Sequence, residues 1–182
     1  SFVEQRIHDK ISIIEHGLNL EEFQNILPIA YEDGIHLAYT SHPERGLQNI
    51  INWWPDIIRN LPSAKLHVFY PKYGHNTFIE EYEAQLNHPS IIIHGSADKS
   101  LLFGTLKFCD YWFYPCDYAE TFCCSALEAM ACKALPLTTD FASLSEVLKN
   151  KRIPISLDHT GQEVADLIKQ WEDTPKLKAQ LI

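Results

Sequence analysis

The 182-residue sequence contains no apolar run approaching the ~18 residues of a membrane-spanning helix, and no basic stretch leading into an apolar one. Positive charge is scarce: 15 Lys and Arg stand against 24 Asp and Glu, a net charge of −9. That balance argues against a nucleic-acid grip built on phosphate neutralisation. The nine His residues are scattered, with no H-x3-H or H-E-x-x-H spacing. The five cysteines, Cys109, Cys116, Cys123, Cys124 and Cys132, form an odd number without C-x-x-C pairs. Neither a disulfide framework nor a zinc ribbon follows, and Cys reads as a small hydrophobe in a reduced, cytoplasmic chain. The composition, 46% hydrophobic and 12% aromatic, is too apolar for disorder and suits one domain with an extension. The chain opens at Ser1-Phe2-Val3 without Met, which reads as a piece of something longer.

What is present is an alternation. Strand-like runs occur at Ile35–Thr40, Lys65–Tyr70, Ile91–His94, Tyr111–Tyr114, Leu135–Thr138 and Ile153–Ile155, each short, β-branched or aromatic, and bounded by turn residues. Pro136 predicts that the fifth is short or irregular. Between them lie helix-like runs: Leu47–Asn60, Phe78–Leu86, Lys99–Phe108, Thr121–Cys132, Ala142–Lys149 and Thr160–Trp171. Thr121–Cys132 is apolar on nearly every side and reads as a buried helix, while Ser143 and Glu146 have capping-box spacing. The alternation predicts an α/β domain, a doubly wound parallel sheet of about six strands with helices on both faces, over 35–182. Residues 1–34 read as an approach segment. Ligands of such sheets sit beyond the carboxyl ends of the strands, which directs attention to the loops there.

The loop after the first core strand reads Ser41-His42-Pro43-Glu44-Arg45-Gly46-Leu47, with neither three glycines of a dinucleotide fingerprint nor the G-K-[ST] of a P-loop. It offers Arg45 at a helix start, where a guanidinium and free amides together make an anion site; the plainer reading is a surface pair with Glu44 or another carboxylate. The second constellation, Pro115–Glu128, carries Glu120 at a turn and Glu128 eight residues on. If both lie on one helix they are ~12 Å apart along its axis and ~80° apart around it, so both can face one cleft. The amides of Thr121, Phe122 and Cys123 would then meet an anion between two hydroxyl-binding carboxylates. A nucleotide diphosphate sugar has that layout. The plainer readings are a helix-dipole charge for Glu120 and a solvated position for Glu128, although Leu127, Ala129, Met130 and Ala131 make the latter look buried. His94-Gly95-Ser96-Ala97 follows a strand with small residues that let a flat base approach the backbone.

In this order the segments resemble the C-terminal, donor-binding domain of retaining glycosyltransferases of the two-domain GT-B fold, the glycosyl transferases group 1 family. Lys10–Phe23 is similar to the family's interdomain crossing. Thr40–Leu47 is similar to its S-x-P-x-[RK]-G-L loop, and Ile91–Ser96 to its base-meeting segment. Glu120–Glu128 resembles its pair of Glu residues separated by seven, and Ala129–Cys132 and Leu144–Glu146 continue the pattern. The resemblance implies that Glu128 holds the ribose hydroxyls and that Glu120 faces the donor hexose near its anomeric centre. Arg45 would neutralise the diphosphate leaving group, an effect larger in the transition state than in the ground state. Thr121 and Phe122 would give amides to the phosphates, and Ser96 or Ala97 would contact the base. Ser41 completes the donor-binding set. No metal or other cofactor is implied.

The sequence departs from the family at two places. Thr40 and Ser41 stand where Gly-Arg is common, leaving Arg45 alone, with Lys72 or Lys99 as alternative cations. Lys133 replaces the Gly that ends the second Glu's helix. An N-terminal acceptor domain is absent from the chain, so the isolated piece is expected to bind donor weakly and turn over poorly. A glycan, lipid-linked or other acceptor, and any membrane association, would come through that half. UDP-sugars are favoured over GDP-mannose because His94–Ala97 is small. A nucleotide-sugar epimerase, a phosphorylase of the same fold and a non-catalytic binding module remain open alternatives.

Overall fold

The computed structural model describes residues 12, 14, 16–70 and 77–181. Six strands, β1 (Ile35–Thr40), β2 (Ala64–Phe69), β3 (Ile91–Gly95), β4 (Tyr111–Tyr114), β5 (Leu135–Thr138) and β6 (Ile153–Pro154), form one sheet. Their order is β3-β2-β1-β4-β5-β6, and every hydrogen-bonded pair is parallel. Each strand falls within one residue of its predicted run. Leu37–Tyr39, Leu66–Phe69 and all of Tyr111–Tyr114 are buried, which is why these segments read as continuous runs without polar alternation.

The helices among the described residues are α1 (Glu21–Gln24), α2 (Leu47–Asn60), α3 (Thr77–Glu81), α4 (Glu83–Leu86), α5 (Lys99–Leu106), α6 (Cys124–Ala131), α7 (Leu144–Leu148), α8 (Gly161–Glu172) and α9 (Pro175–Leu181). On α2, Leu47, Ile50, Ile51, Trp53, Trp54 and Ile57 turn inward, and the helix packs beside α8. The approach segment crosses α5: Phe23 stacks on Phe103 with centroids 4.4 Å apart, and the Ile29 amide donates to the Gly104 carbonyl at 2.9 Å. Lys10, Ile11, Ile13 and Glu15 of the predicted crossing, and Lys72, lie outside the described residues. No helix among the described residues is long and apolar enough to cross a membrane.

Three local expectations are corrected. Phe78–Leu86 is two short helices, α3 and α4, interrupted at Tyr82. The capping box at Ser143 and Glu146 does not form, because Ser143 is already helical in backbone and its hydroxyl makes no cap bond. That hydroxyl is buried with no hydrogen-bond partner among the described residues. The box forms instead at Thr160: its extended backbone lets the hydroxyl accept from the Glu163 amide, while the Glu163 carboxylate accepts from the Thr160 amide at 2.7 Å. Lys133 does not abolish the expected helix end. It occupies the left-handed position itself, at φ 66°. The Ala134 amide donates to Ala129 and the Lys133 amide to Met130, both at 3.0 Å, the double closure normally built on Gly. Lys133→Gly is therefore expected to stabilise the chain by ~1 kcal/mol, because a side chain is strained at this φ. Thermal unfolding checks it: a rise of about 2–4 °C is expected, and a fall would contradict the strained cap.

Candidate functional site

Chain order reverses between β1 and β4, which makes the crevice beyond their carboxyl ends the topological switch point of the sheet. The two strands pair only at Leu37–Tyr111 and Ala38–Trp112. Beyond those positions the pairing stops, and Trp112 Nε1 donates to Thr40 Oγ1 at 2.8 Å.

Arg45 and Glu120 meet at the mouth of this crevice. The loop carrying Arg45 comes down onto the loop after β4 because Gly46, at φ 105°, has no side chain; a Cβ there would lie 2.1 Å from the Pro115 carbonyl oxygen. That approach brings the Arg45 guanidinium to Glu120 Oε1 at 3.1 Å and over the Tyr118 ring, 4.4 Å from its centroid. The surface carboxylate anticipated for Arg45 is thus Glu120 rather than Glu44. Glu120 Oε1 also accepts from the Tyr114 hydroxyl at 2.7 Å, and Ser41 Oγ donates to Tyr114 at 3.4 Å. Burial, helped by Cys116 and Glu120, raises the pKa of Tyr114, so its hydroxyl stays a donor. The Glu120 side chain is 11% exposed against 38% for Arg45, so the carboxylate is the fixed partner and the guanidinium the accessible one.

Beside this pair lies a cavity of about 430 Å³, walled by the expected Ser41, Arg45, Ser96 and Ala97. Phe69 and Ser125 join the wall without having been anticipated. Phe69 was read only as part of a buried strand, and Ser125 only as part of a buried helix; neither carries a sequence signal of its own. Gly95, at φ 67°, turns the end of β3 so that Ser96 and Ala97 follow along the cavity.

The other expected members are arranged differently. The helix after β4 begins at Cys124, not Thr121, because Cys123 sits in the left-handed region at φ 62° and breaks the backbone there. The free helix-end amides therefore belong to Cys124 and Ser125 rather than to Thr121, Phe122 and Cys123. Thr121 and Phe122 line a separate cavity of about 400 Å³ with His16, Glu146 and Lys149. Glu120 precedes the helix by four positions, so the helical spacing to Glu128 does not apply. Glu128 lies on α6, half-buried. Burial raises its pKa, with the Lys99 ammonium opposing. Lys99 itself is ion-paired with Glu22. Glu128 is not part of the wall of either cavity. All five cysteines are unpaired, and four are buried. Among the described residues no group of three His, Cys, Asp or Glu could hold a metal ion.

Solved structures share this fold. A glycosyltransferase from Rickettsia africae superposes with a TM-score of 0.76 at 17% identity, over 94% of this chain and 51% of that one. Anabaena HepE in complex with UDP-glucose gives 0.67 at 15% identity, over 82% and 42%. The pneumococcal O-GlcNAc transferase GtfA, in complex with UDP and GlcNAc, gives 0.60 at 16% identity, over 86% and 33%. The chain thus spans about half or less of the length of these structures. Among curated proteins, none matches it in sequence. Residues 37–182 match the family described as glycosyl transferases group 1, and with four-fifths of its length inside that match, from β1 through α9, the chain belongs to that family.

Proposed function

We propose that this chain is the donor-binding half of a retaining glycosyltransferase, one that moves a hexose from a nucleotide diphosphate sugar, UDP-linked by preference, to an acceptor hydroxyl. The observation that carries the reading is the Arg45–Glu120 pair at the switch-point crevice, beside a cavity bounded by Ser96, Ala97 and the start of α6. The diphosphate takes the exposed Arg45 guanidinium and the amides of Cys124 and Ser125, and the base lies along Ser96 and Ala97. As the bond from sugar to phosphate breaks, negative charge grows on the leaving oxygen, where Arg45 stabilises it without help from a metal. The acceptor, glycan or lipid-linked, enters through the half of the enzyme that this chain does not span.

In the structure Arg45 is already engaged by Glu120. An incoming diphosphate competes with that carboxylate, and once Arg45 moves to phosphate, Glu120 is left with Tyr114 and becomes free to accept from hexose hydroxyls. Opposite effects of two substitutions follow. Arg45→Ala is expected to weaken UDP by about 10–100-fold, the range for a lost charge-assisted hydrogen bond. Glu120→Gln is expected to bind UDP about threefold tighter, since a part-exposed pair is worth ~1 kcal/mol or less, while losing transfer. Calorimetric titration with UDP, GDP and ADP measures both and identifies the base. Glu128→Ala, placed away from the cavity, tests whether a ribose contact forms when the site closes. Equal UDP affinity in wild type and Arg45→Ala would remove the basis of the reading.

A further inference from the structure

Three histidines on three adjacent strands, His36 and His67 buried and His94 half-buried, form a chain that the donor reading does not use. His36 on β1, His67 on β2 and His94 on β3 are linked by ring nitrogens: His36 Nδ1 to His67 Nε2 at 2.9 Å, and His67 Nδ1 to His94 Nε2 at 3.0 Å. His36 Nε2 meets the Glu32 carbonyl at 2.9 Å. That carbonyl can only accept, so His36 Nε2 carries a proton. A neutral His36 then offers a lone pair at Nδ1, which requires a proton on His67 Nε2. The same step fixes the proton on His94 Nε2. Every ring is an Nε2–H tautomer, and the chain donates in one direction, from β3 toward Glu32. A proton added at Nδ1 of His36 or His67 would set two N–H groups against each other.

The chain ends where β3 is irregular. Val68 pairs with Ile93, but Phe69 pairs with Gly95, so His94 is the extra residue of a bulge. Phe69, part of the cavity wall, stacks on the His94 ring at 4.2 Å and 4°. Gly95, Ser96 and Ala97 follow directly and line the same cavity. We propose that His36 and His67, neither of which touches the cavity, are positioning residues: their tautomer-locked chain holds His94 in the bulge and thereby fixes the Phe69 ring and the Gly95–Ala97 backbone that meet the nucleotide base. The consequence for nucleotide affinity rests on the donor reading of the cavity; the positioning itself does not.

The surroundings suit a neutral chain. The Tyr31 ring lies edge-on to His67 at 4.4 Å with its hydroxyl engaged by Thr105, and Phe108 stands edge-on to His36 at 4.8 Å. The Asp110 carboxylate accepts from the His36 backbone amide at 2.9 Å and pairs with Lys178. Burial, with the two other rings, holds His67 at about 3, and burial lowers His94 as well.

The test is nitrogen-resolved NMR of the imidazoles and of the Gly95, Ser96 and Ala97 amides through an acid titration, with UDP titrations near neutral pH. Wild type is expected to show three Nε2–H tautomers near neutral pH, and amide signals that move only below the ordinary histidine value, as His67 and His94 take up protons. In His67→Phe, and in His94→Phe on the edge strand should the first not fold, the amide signals shift at neutral pH and UDP binds about tenfold more weakly. A different tautomer at any of the three rings in wild type, or amides unmoved in a folded variant, would overturn the proposal. Failure of wild type to bind UDP counts against the donor reading alone, because the amide signals decide the positioning without ligand.

Discussion

Gly46→Ala is expected to cost about 2–4 kcal/mol of stability and to lower the unfolding temperature by roughly 5–15 °C. Two costs add. At φ 105° a side chain is strained by ~1 kcal/mol or more. The new Cβ also falls 2.1 Å from the Pro115 carbonyl oxygen and 2.8 Å from its carbon, both backbone atoms that cannot rotate away. Either the loop after β1 or the loop after β4 must retreat. The same carbonyl accepts from Asn49 Nδ2 at 3.1 Å, so retreat breaks a second tie between the loops. Because this approach is what brings Arg45 to Glu120, UDP affinity should fall along with stability. Gly17, with nothing among the described residues within 4 Å of a Cβ built on it, is the control, and its alanine variant should stay within ~0.5 kcal/mol of wild type. Differential scanning calorimetry of the two variants settles it: equal unfolding temperatures would mean that the loops do not depend on Gly46.

The second large effect is acid destabilisation. His67 has its pKa lowered from 6.5 to about 3, first by burial and then by His94 and His36. Its neutral form is favoured in the fold, so the unfolded chain binds the extra proton. Stability is highest above about 6.5 and falls as pH drops toward about 3, by 1.36 kcal/mol for each unit in that window. About 2–3 kcal/mol should be gone near pH 4.5 and ~4 kcal/mol near pH 3. His94, also lowered by burial, adds to the loss, whereas Glu128, raised by burial, works in the opposite direction as it protonates. Urea unfolding at several pH values measures the slope, and His67→Phe should flatten it. A wild-type slope no steeper than that of the variant would show that His67 protonates freely in the folded chain.

Legibility differed by level. The strands could be read from sequence because a parallel sheet covered on both faces leaves runs such as Tyr111–Tyr114 with no polar interruption. The candidate site residues Arg45 and Glu120 could be found as residue types, but not as partners. Arg45 and Glu120 are 75 positions apart, and their meeting depends on Gly46 touching the Pro115 carbonyl on another loop, a contact that no local pattern announces. The start of α6 was misread for a different reason. Cys123 adopts a glycine-like backbone angle with no glycine to announce it, so the apolar run Thr121–Cys132 looks helical throughout. Lys133 adopts a similar angle after the other end of the helix, yet there the predicted end, Cys132, lies within one residue of the observed Ala131. The histidine chain was invisible because His36, His67 and His94 become neighbours only through the parallel register of three strands, with a bulge at the last.

That register is thin at the centre of the sheet, as it is at the edge, where β5 and β6 also share only two paired positions. β1 and β2 share six paired positions, while β1 and β4 share two. Mechanically the sheet is two three-stranded ribbons riveted at a short seam, and the crevice is where the seam is left open. The cavity there is lined from both ribbons, by Ser41 and Arg45 on one side and Ser125 on the other, so a molecule lodged in it would act as a splint across the seam.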